Sequence, residues 1–333
     1  MGPFQVVLPL NKIGQLTENA LALKEVCESK GIKVFPIGLR LQDVDAITDV
    51  EYLMRITSPQ VPMLLEDAME AIISNNEKIT IDRLEKFLNK RLKDNSELAK
   101  PLATIKSKKG VSYYISTFDA ALRALRSLKD FFDHDTKSLQ TDEHPMSCFK
   151  AQGTTILYLD DLGHDAKIMW EMQLLRWLNG NKKELSDTFV FFDEAHQIIP
   201  AHPIGVSSKE TFDRLRANFE QLARDGRKYR VNLVLSTQSP KDLHEIVPDQ
   251  CPNRVVMKIN PRNAAHAYLD PELAMIANKF SAGEFWFQSP FNGTPNWLRI
   301  HGIANPIPHE PMDKFWDKIR AAAEQTKTKP GKK

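Results

Sequence analysis

Four consecutive apolar residues, Phe189-Val190-Phe191-Phe192, run without a break into the acidic pair Asp193-Glu194. A strand so uniformly apolar reads as buried on both faces, as strands are inside a parallel sheet covered by helices. A second run of this kind, Val231-Asn232-Leu233-Val234-Leu235, ends in Ser236-Thr237-Gln238. Further strand signals lie at 32–37, 154–159, 254–259, 284–288 and 297–303, with helical patterns between them. Strands that alternate with helices predict an α/β fold with a largely parallel sheet flanked by helices.

The helical segments carry their own punctuation. Thr17 caps a helix that runs to about residue 30, and Gly31 stops it. Residues 166–178 are apolar nearly all round, through Ile168, Trp170, Met172, Leu174, Leu175, Trp177 and Leu178, which reads as core. Ser207-Ser208-Lys209-Glu210 has the form of a capping box and opens a helix with Phe212, Leu215, Phe219 and Leu222 on one face. Residues 60–147 are mostly helical by spacing, for example Leu84, Phe87, Leu88 and Leu92, and predict a helical insertion. The expected organisation is a first part of the core at 1–59, an insertion and loop at 60–149, the main core at 150–305, and a C-terminal helix with a basic tail at 306–333. No internal repeat is visible.

A chain of 333 residues has room for roughly two domains. Its 42% hydrophobic content supports a substantial core and excludes a disordered or collagen-like chain. No apolar run approaches 18 residues and the N-terminus lacks a basic n-region, so neither a transmembrane helix nor a signal peptide is predicted. Cys27, Cys148 and Cys251 are far apart and odd in number, which points to a reducing, cytoplasmic setting. His134 and His144, beside Asp133, Asp135 and Glu143, read as a solvated acidic loop rather than a metal site. A balance of 45 basic against 43 acidic residues leaves +2, so a nucleic-acid partner has to be argued from local charge.

The chemistry gathers at strand ends, where open α/β sheets bind ligands. Two adjacent carboxylates at such an end suit a P-loop ATPase: Asp193 to hold Mg²⁺, usually through water, and Glu194 to polarise the water that attacks a γ-phosphate. Gln238, one strand further on, could sense the γ-phosphate or orient that water. Arg224-Asp225-Gly226-Arg227-Lys228-Tyr229-Arg230 has two open readings. Cations favour a helix C-terminus and Gly226 stops the helix; alternatively, Arg227 or Arg224 is an arginine finger acting across a subunit boundary.

Phe191-Phe192-Asp193-Glu194-Ala195-His196, then Ala223-Arg224-Asp225-Gly226-Arg227-Lys228-Tyr229, then Ser236-Thr237-Gln238-Ser239-Pro240, then Asp249-Gln250-Cys251, in that order, resemble the HerA family. These are hexameric, DNA-translocating ATPases of the FtsK/HerA branch with a RecA-like core. The resemblance covers residues 153–301 well and 34–73 more loosely. It implies ATP and Mg²⁺ as cofactors, Asp193 on the metal, Glu194 as the catalytic carboxylate, Gln238 as sensor and Arg227 or Arg224 acting in trans. It also implies a ring of copies, DNA held without regard to sequence, and a NurA-type nuclease as partner. Lys106, Lys108 and Lys109 are candidate DNA contacts, with Lys86, Lys90, Arg91 and Lys93 as a second group that a solvated helix face explains equally.

One element of the family pattern is missing. The only Gly-Lys pair, Gly331-Lys332, has no Ser or Thr after it, so the sequence contains no G-x-x-x-x-G-K-[S/T] phosphate loop. The expectation is a C-terminal piece of a longer polypeptide or a short paralogue without its own nucleotide site. An inactive ring subunit that lends arginine and DNA contacts is the alternative, and a conjugation-type DNA-pumping ATPase shares the same core. A DEAH-box helicase is disfavoured, because its later motifs are absent. A sheet without its phosphate-loop strand is further expected to leave an apolar edge and to promote self-association.

Overall fold

The computed structural model describes residues 4–11, 14–44, 50–54, 58–95, 104–106, 110–134, 141–150, 152–185, 187–202, 209–260, 275–281, 283–289, 298–301 and 312–328. The chain divides into two compact units, Met1–Gln173 with Pro311–Lys333, and Leu174–Glu310.

The first unit is built on a three-stranded parallel sheet in the order β2-β1-β5. The central strand β1 (Phe4–Pro9) pairs in parallel with β2 (Lys33–Ile37) and with β5 (Thr154–Leu157). Between β1 and β2 runs α1 (Glu18–Ser29), whose N-cap Thr17 accepts a hydrogen bond from the Ala20 amide at 3.2 Å. Val6, Leu8, Ala20 and Cys27 form the core between sheet and helix. The unit closes with the C-terminal helix, numbered below, whose Arg320 donates to Asn19 Oδ1 at 2.9 Å.

The first unit also carries helices between β2 and β5. They are α2 (Glu51–Met54), α3 (Gln60–Ile73), α4 (Ile81–Asp94) and α5 (Ile115–Leu128). Leu64, Leu65, Leu84, Leu88, Phe118 and Leu125 are all essentially buried, as the 3.6-residue spacing predicts. A short antiparallel hairpin, β3 (Thr104–Lys106) with β4 (Ser112–Tyr114), interrupts the helices. It is pinned by Tyr113, whose hydroxyl donates to Asp67 Oδ2 at 2.8 Å. Asp133 is not the solvated loop residue that the sequence suggests. Its carboxylate accepts from the amides of Leu41 at 3.0 Å and Ile81 at 2.8 Å, and so caps the start of α4. Burial holds its pKa above the usual carboxylate range despite those two bonds.

Helix α6 (His164–Asn181) spans the division after Gln173, and the second unit contains a two-stranded parallel sheet. There β6 (Thr188–Phe192) pairs with β7 (Val231–Leu235), Phe192 opposite Leu235. Between them lie the single-turn α7 (Ala195–Ile198) and α8 (Lys209–Gly226), whose Phe219 and Leu222 are fully buried. After α9 (Ile246–Gln250), the strands β8 (Arg254–Val256), β9 (Glu284–Gln288) and β10 (Leu298–His301) form an antiparallel sheet, so the last strands do not extend the parallel one. Trp286, Ala277 and Phe280 make its core. The C-terminal helix of the first unit is α10 (Met312–Thr328).

The reading of β6 as buried on both faces does not hold. Phe192 is 6% exposed, but Phe189 and Phe191 are 61% and 72% exposed, their rings 6.5 Å apart. Val234, opposite Phe191, is exposed as well. The apolar surface expected of this sheet is therefore a face of β6. Burying one such ring is worth about 1.5–3 kcal/mol. Phe189→Thr with Phe191→Thr, which keeps strand propensity, is expected to weaken self-association by about a hundredfold. Light scattering over a concentration series checks this; an unchanged association midpoint would count against the face as the cause.

Candidate functional site

The parallel register sets the site. Phe192 opposite Leu235 brings Asp193-Glu194 and Ser236-Thr237-Gln238 to the same end of the sheet, the C-terminal end of both strands. Two backbone bonds continue the pairing past the strands: Ser236 donates to the Phe192 carbonyl at 2.9 Å, and Ala195 to the Ser236 carbonyl at 2.7 Å. To make the second, the chain reverses at Glu194, which takes a left-handed conformation (φ 48°, ψ 49°). A non-glycine residue there carries strain of about 1–2 kcal/mol, a device found where a side chain must be aimed.

Each carboxylate is held by one oxygen. Asp193 Oδ1 accepts from the Ser236 hydroxyl at 2.6 Å and from the Glu194 amide at 3.1 Å. Glu194 Oε2 accepts a long bond from the Gln238 amide at 3.4 Å and lies 3.3 Å from His196 Nδ1. His196 Nδ1 is also 3.0 Å from Thr237 Oγ1, which itself accepts from the Ser239 amide at 3.1 Å. One imidazole nitrogen thus ties the acid on β6 to the turn after β7. Asp193 Oδ2 and Glu194 Oε1 take no hydrogen bond from any described group.

Two aligned strand ends therefore present two carboxylate oxygens and the Gln238 side chain to solvent. Among the described residues no group of three or more His, Cys, Asp or Glu side chains forms a cage for a metal. One or two carboxylates that leave most positions to water and substrate phosphates suit Mg²⁺, so the donor set fits.

The sequence-predicted residues divide clearly. Asp193, Glu194 and Gln238 come together. Arg224 and Arg227 are exposed at the other end of the sheet, where the Arg230 carbonyl accepts from the Thr188 amide at 3.0 Å and Arg230 pairs with Asp187 at 3.1 Å. β7 is five residues long, about 16 Å at roughly 3.3 Å per residue, so neither arginine reaches the acids of its own chain. Lys106 is exposed on the insertion hairpin, and Lys108 and Lys109 lie outside the described residues. Sequence reasoning undervalues His196 and passes over Ser236 and Thr237. The signal for them is their position immediately before Gln238 on a strand that pairs with β6.

No family model matches the chain. A probable helicase of Methanocaldococcus jannaschii, MJ1565, is 28% identical over 148 residues, which is 42% of this chain and 27% of that protein. The chain thus matches under a third of this relative's length. VirB4 of Thermoanaerobacter pseudethanolicus has a similar fold, with a TM-score of 0.53 at 12% identity over 92% of this chain and 82% of that one. The genome packaging NTPase B204 of Sulfolobus turreted icosahedral virus 2, in complex with AMPPCP, gives a TM-score of 0.36 at 17% identity over 48% of this chain and 71% of that one. The fold is α/β and similar to that of VirB4, and part of the chain is similar in sequence to a probable helicase.

Proposed function

We propose that this chain supplies the hydrolytic half of an ATP site in a HerA-like, DNA-translocating motor. Asp193 holds Mg²⁺, whose charge would offset that of the phosphates, and Glu194 takes the proton of the attacking water. Gln238 reports the γ-phosphate to β7. The phosphate cradle comes from residues outside these 333, in a longer polypeptide or a partner. Arg227, or Arg224, faces the nucleotide of the neighbouring copy in a hexameric ring, which fits their place at the far end of the sheet. Double-stranded DNA is the cargo, a NurA-type nuclease the companion, and the cytoplasm the setting. No described helix is long and apolar enough to cross a membrane.

The observation that carries this reading is the meeting of Asp193, Glu194 and Gln238 at one strand end, with one oxygen of each acid anchored and the other taking no hydrogen bond from any described group. The test is phosphate release from Mg²⁺-ATP by the full chain, with and without the polypeptide that carries the cradle. Turnover that needs both and is lost in Asp193→Ala is the expected result. Turnover untouched by Asp193→Ala would overturn the site; micromolar ATP binding by the chain alone would overturn the assignment of the cradle to another segment.

A further inference from the structure

The two acids at the end of β6 are held unequally. Asp193 Oδ1 is fixed by the Ser236 hydroxyl at 2.6 Å and by the Glu194 amide at 3.1 Å. Glu194 Oε2 has only two distant contacts, the Gln238 amide at 3.4 Å and His196 Nδ1 at 3.3 Å. Hydrogen bonds from nitrogen to oxygen centre on about 2.9–3.0 Å, so both of these are weak. The imidazole lies nearer to its other neighbour, Thr237 Oγ1, at 3.0 Å. Both hydroxyls that follow β7 therefore bear on the acidic pair, Ser236 directly and Thr237 through a ring.

Nδ1 is a single atom, and it serves one partner at a time. With a proton on Nδ1, the ring donates either to Glu194 or to Thr237. Without one, Nδ1 accepts the Thr237 hydroxyl and turns a lone pair towards a carboxylate, which has only lone pairs to offer. In either case a bond to Thr237 leaves Glu194 without the histidine. The Thr237 oxygen is itself kept in place by the Ser239 amide, from which it accepts at 3.1 Å. His196 Nε2 has no partner among the described residues, so nothing on the far side of the ring commits it to one neighbour. Gln238 follows Thr237 directly, so a phosphate that draws Gln238 towards itself also displaces the Thr237 hydroxyl. We infer that Thr237, acting through His196, is a positioning residue for Glu194: without nucleotide it keeps the imidazole from the carboxylate, and a γ-phosphate at Gln238 releases the imidazole to orient it. The inference rests on the proposed roles of Glu194 and Gln238 in hydrolysis and adds the route by which the second controls the first.

Two measurements test it. The first needs no nucleotide: imidazole-nitrogen NMR of the full chain, with the His196 signals assigned by their loss in His196→Gln. Thr237→Val, which keeps the branched shape and removes the hydroxyl, is expected to shift the Nδ1 resonance. Glu194→Gln is expected to shift it only in the Thr237→Val background. An equal response to Glu194→Gln with and without the hydroxyl, or none in either, would overturn the inference. The second is phosphate release in the presence of the polypeptide that carries the cradle. Gln238→Ala removes the trigger and is expected to lower kcat. Adding Thr237→Val is expected to raise kcat again by about two- to tenfold, the weight of one net hydrogen bond, at an unchanged KM. Adding Thr237→Ser instead, which keeps the hydroxyl, is expected to recover nothing. His196→Ala is expected to abolish the recovery, as residues that act in series require. No recovery by Thr237→Val, or the same recovery without His196, would overturn the inference while the hydrolytic reading stands. A wild type without turnover but with the expected NMR response would overturn the hydrolytic reading, and with it the role of this contact in hydrolysis.

Discussion

Replacing Glu194 by Gln is expected to lower ATP turnover by about a hundredfold or more at the proposed site, with nucleotide affinity retained within a few-fold. The substitution is nearly isosteric. A Gln side chain keeps an oxygen that can accept from the Gln238 amide, and it asks nothing new of the left-handed backbone at this position. It removes the charge and the site that accepts a proton. A group that acts on the water lowers turnover and spares binding, whereas Asp193→Ala, which deletes the oxygen proposed to face the metal and leaves the Ser236 hydroxyl without its acceptor, is expected to raise the Mg²⁺ requirement as well. His196→Ala is expected to fall between the two, because it releases Glu194 Oε2 without removing the carboxylate. Single-turnover phosphate release, with binding measured separately, distinguishes the three. Turnover within about threefold of wild type for Glu194→Gln would remove Glu194 from the mechanism.

Much of this site is legible in the amino-acid sequence, and the physical reason is local. An apolar strand that stops at two acids, and another that stops at Ser-Thr-Gln, need only pair in parallel register to form it, and such pairing is what buries apolar strands. What the sequence hides is long-range. β1 is the central strand of the first unit, yet its six residues, Phe4–Pro9, are interrupted by Gln5 and end in a proline, and only pairing with β2 and β5 gives them meaning. The exposure of Phe189 and Phe191 cannot be read from composition, because an apolar run is the same whether or not both faces are covered. Asp133 looks like a loop acid because nothing local shows that two amides, from Leu41 and Ile81, converge on it. The place of Arg227 is also a matter of register: it belongs to the far end of β7, which sequence distance alone leaves open.

The largest expected effect on stability comes from a residue that the proposed chemistry does not use. Glu171 lies on α6, is 6% exposed, and its Oε2 has no hydrogen-bond partner among the described residues. Burial pushes its pKa from the ordinary carboxylate range up to about 8, and Lys167, one turn earlier, only partly opposes this. A carboxyl whose pKa is raised in the folded state favours folding when protonated. Its contribution is fully present below the unfolded value near 4.5 and is lost as pH rises through about 8. The difference between those limits is on the order of 4–5 kcal/mol, a large share of a typical folding free energy. Wild type is therefore expected to lose stability steadily from pH 5 to pH 8.5, and Glu171→Gln, which keeps the shape without the charge, is expected to lose much less. His244 acts in the opposite direction within this window. Burial and the nearby Arg216 lower its pKa, so it penalises the fold on the acid side and stops doing so as pH rises past its unfolded value. Subtracting the urea midpoints of Glu171→Gln from those of wild type cancels the His244 contribution and leaves that of Glu171. The two proteins should be about equally stable at pH 5, with the variant ahead by several kcal/mol at pH 8.5. Parallel curves across the window would mean that Glu171 is ionised at no cost in the folded chain, and that α6 offers it a partner or water at that position.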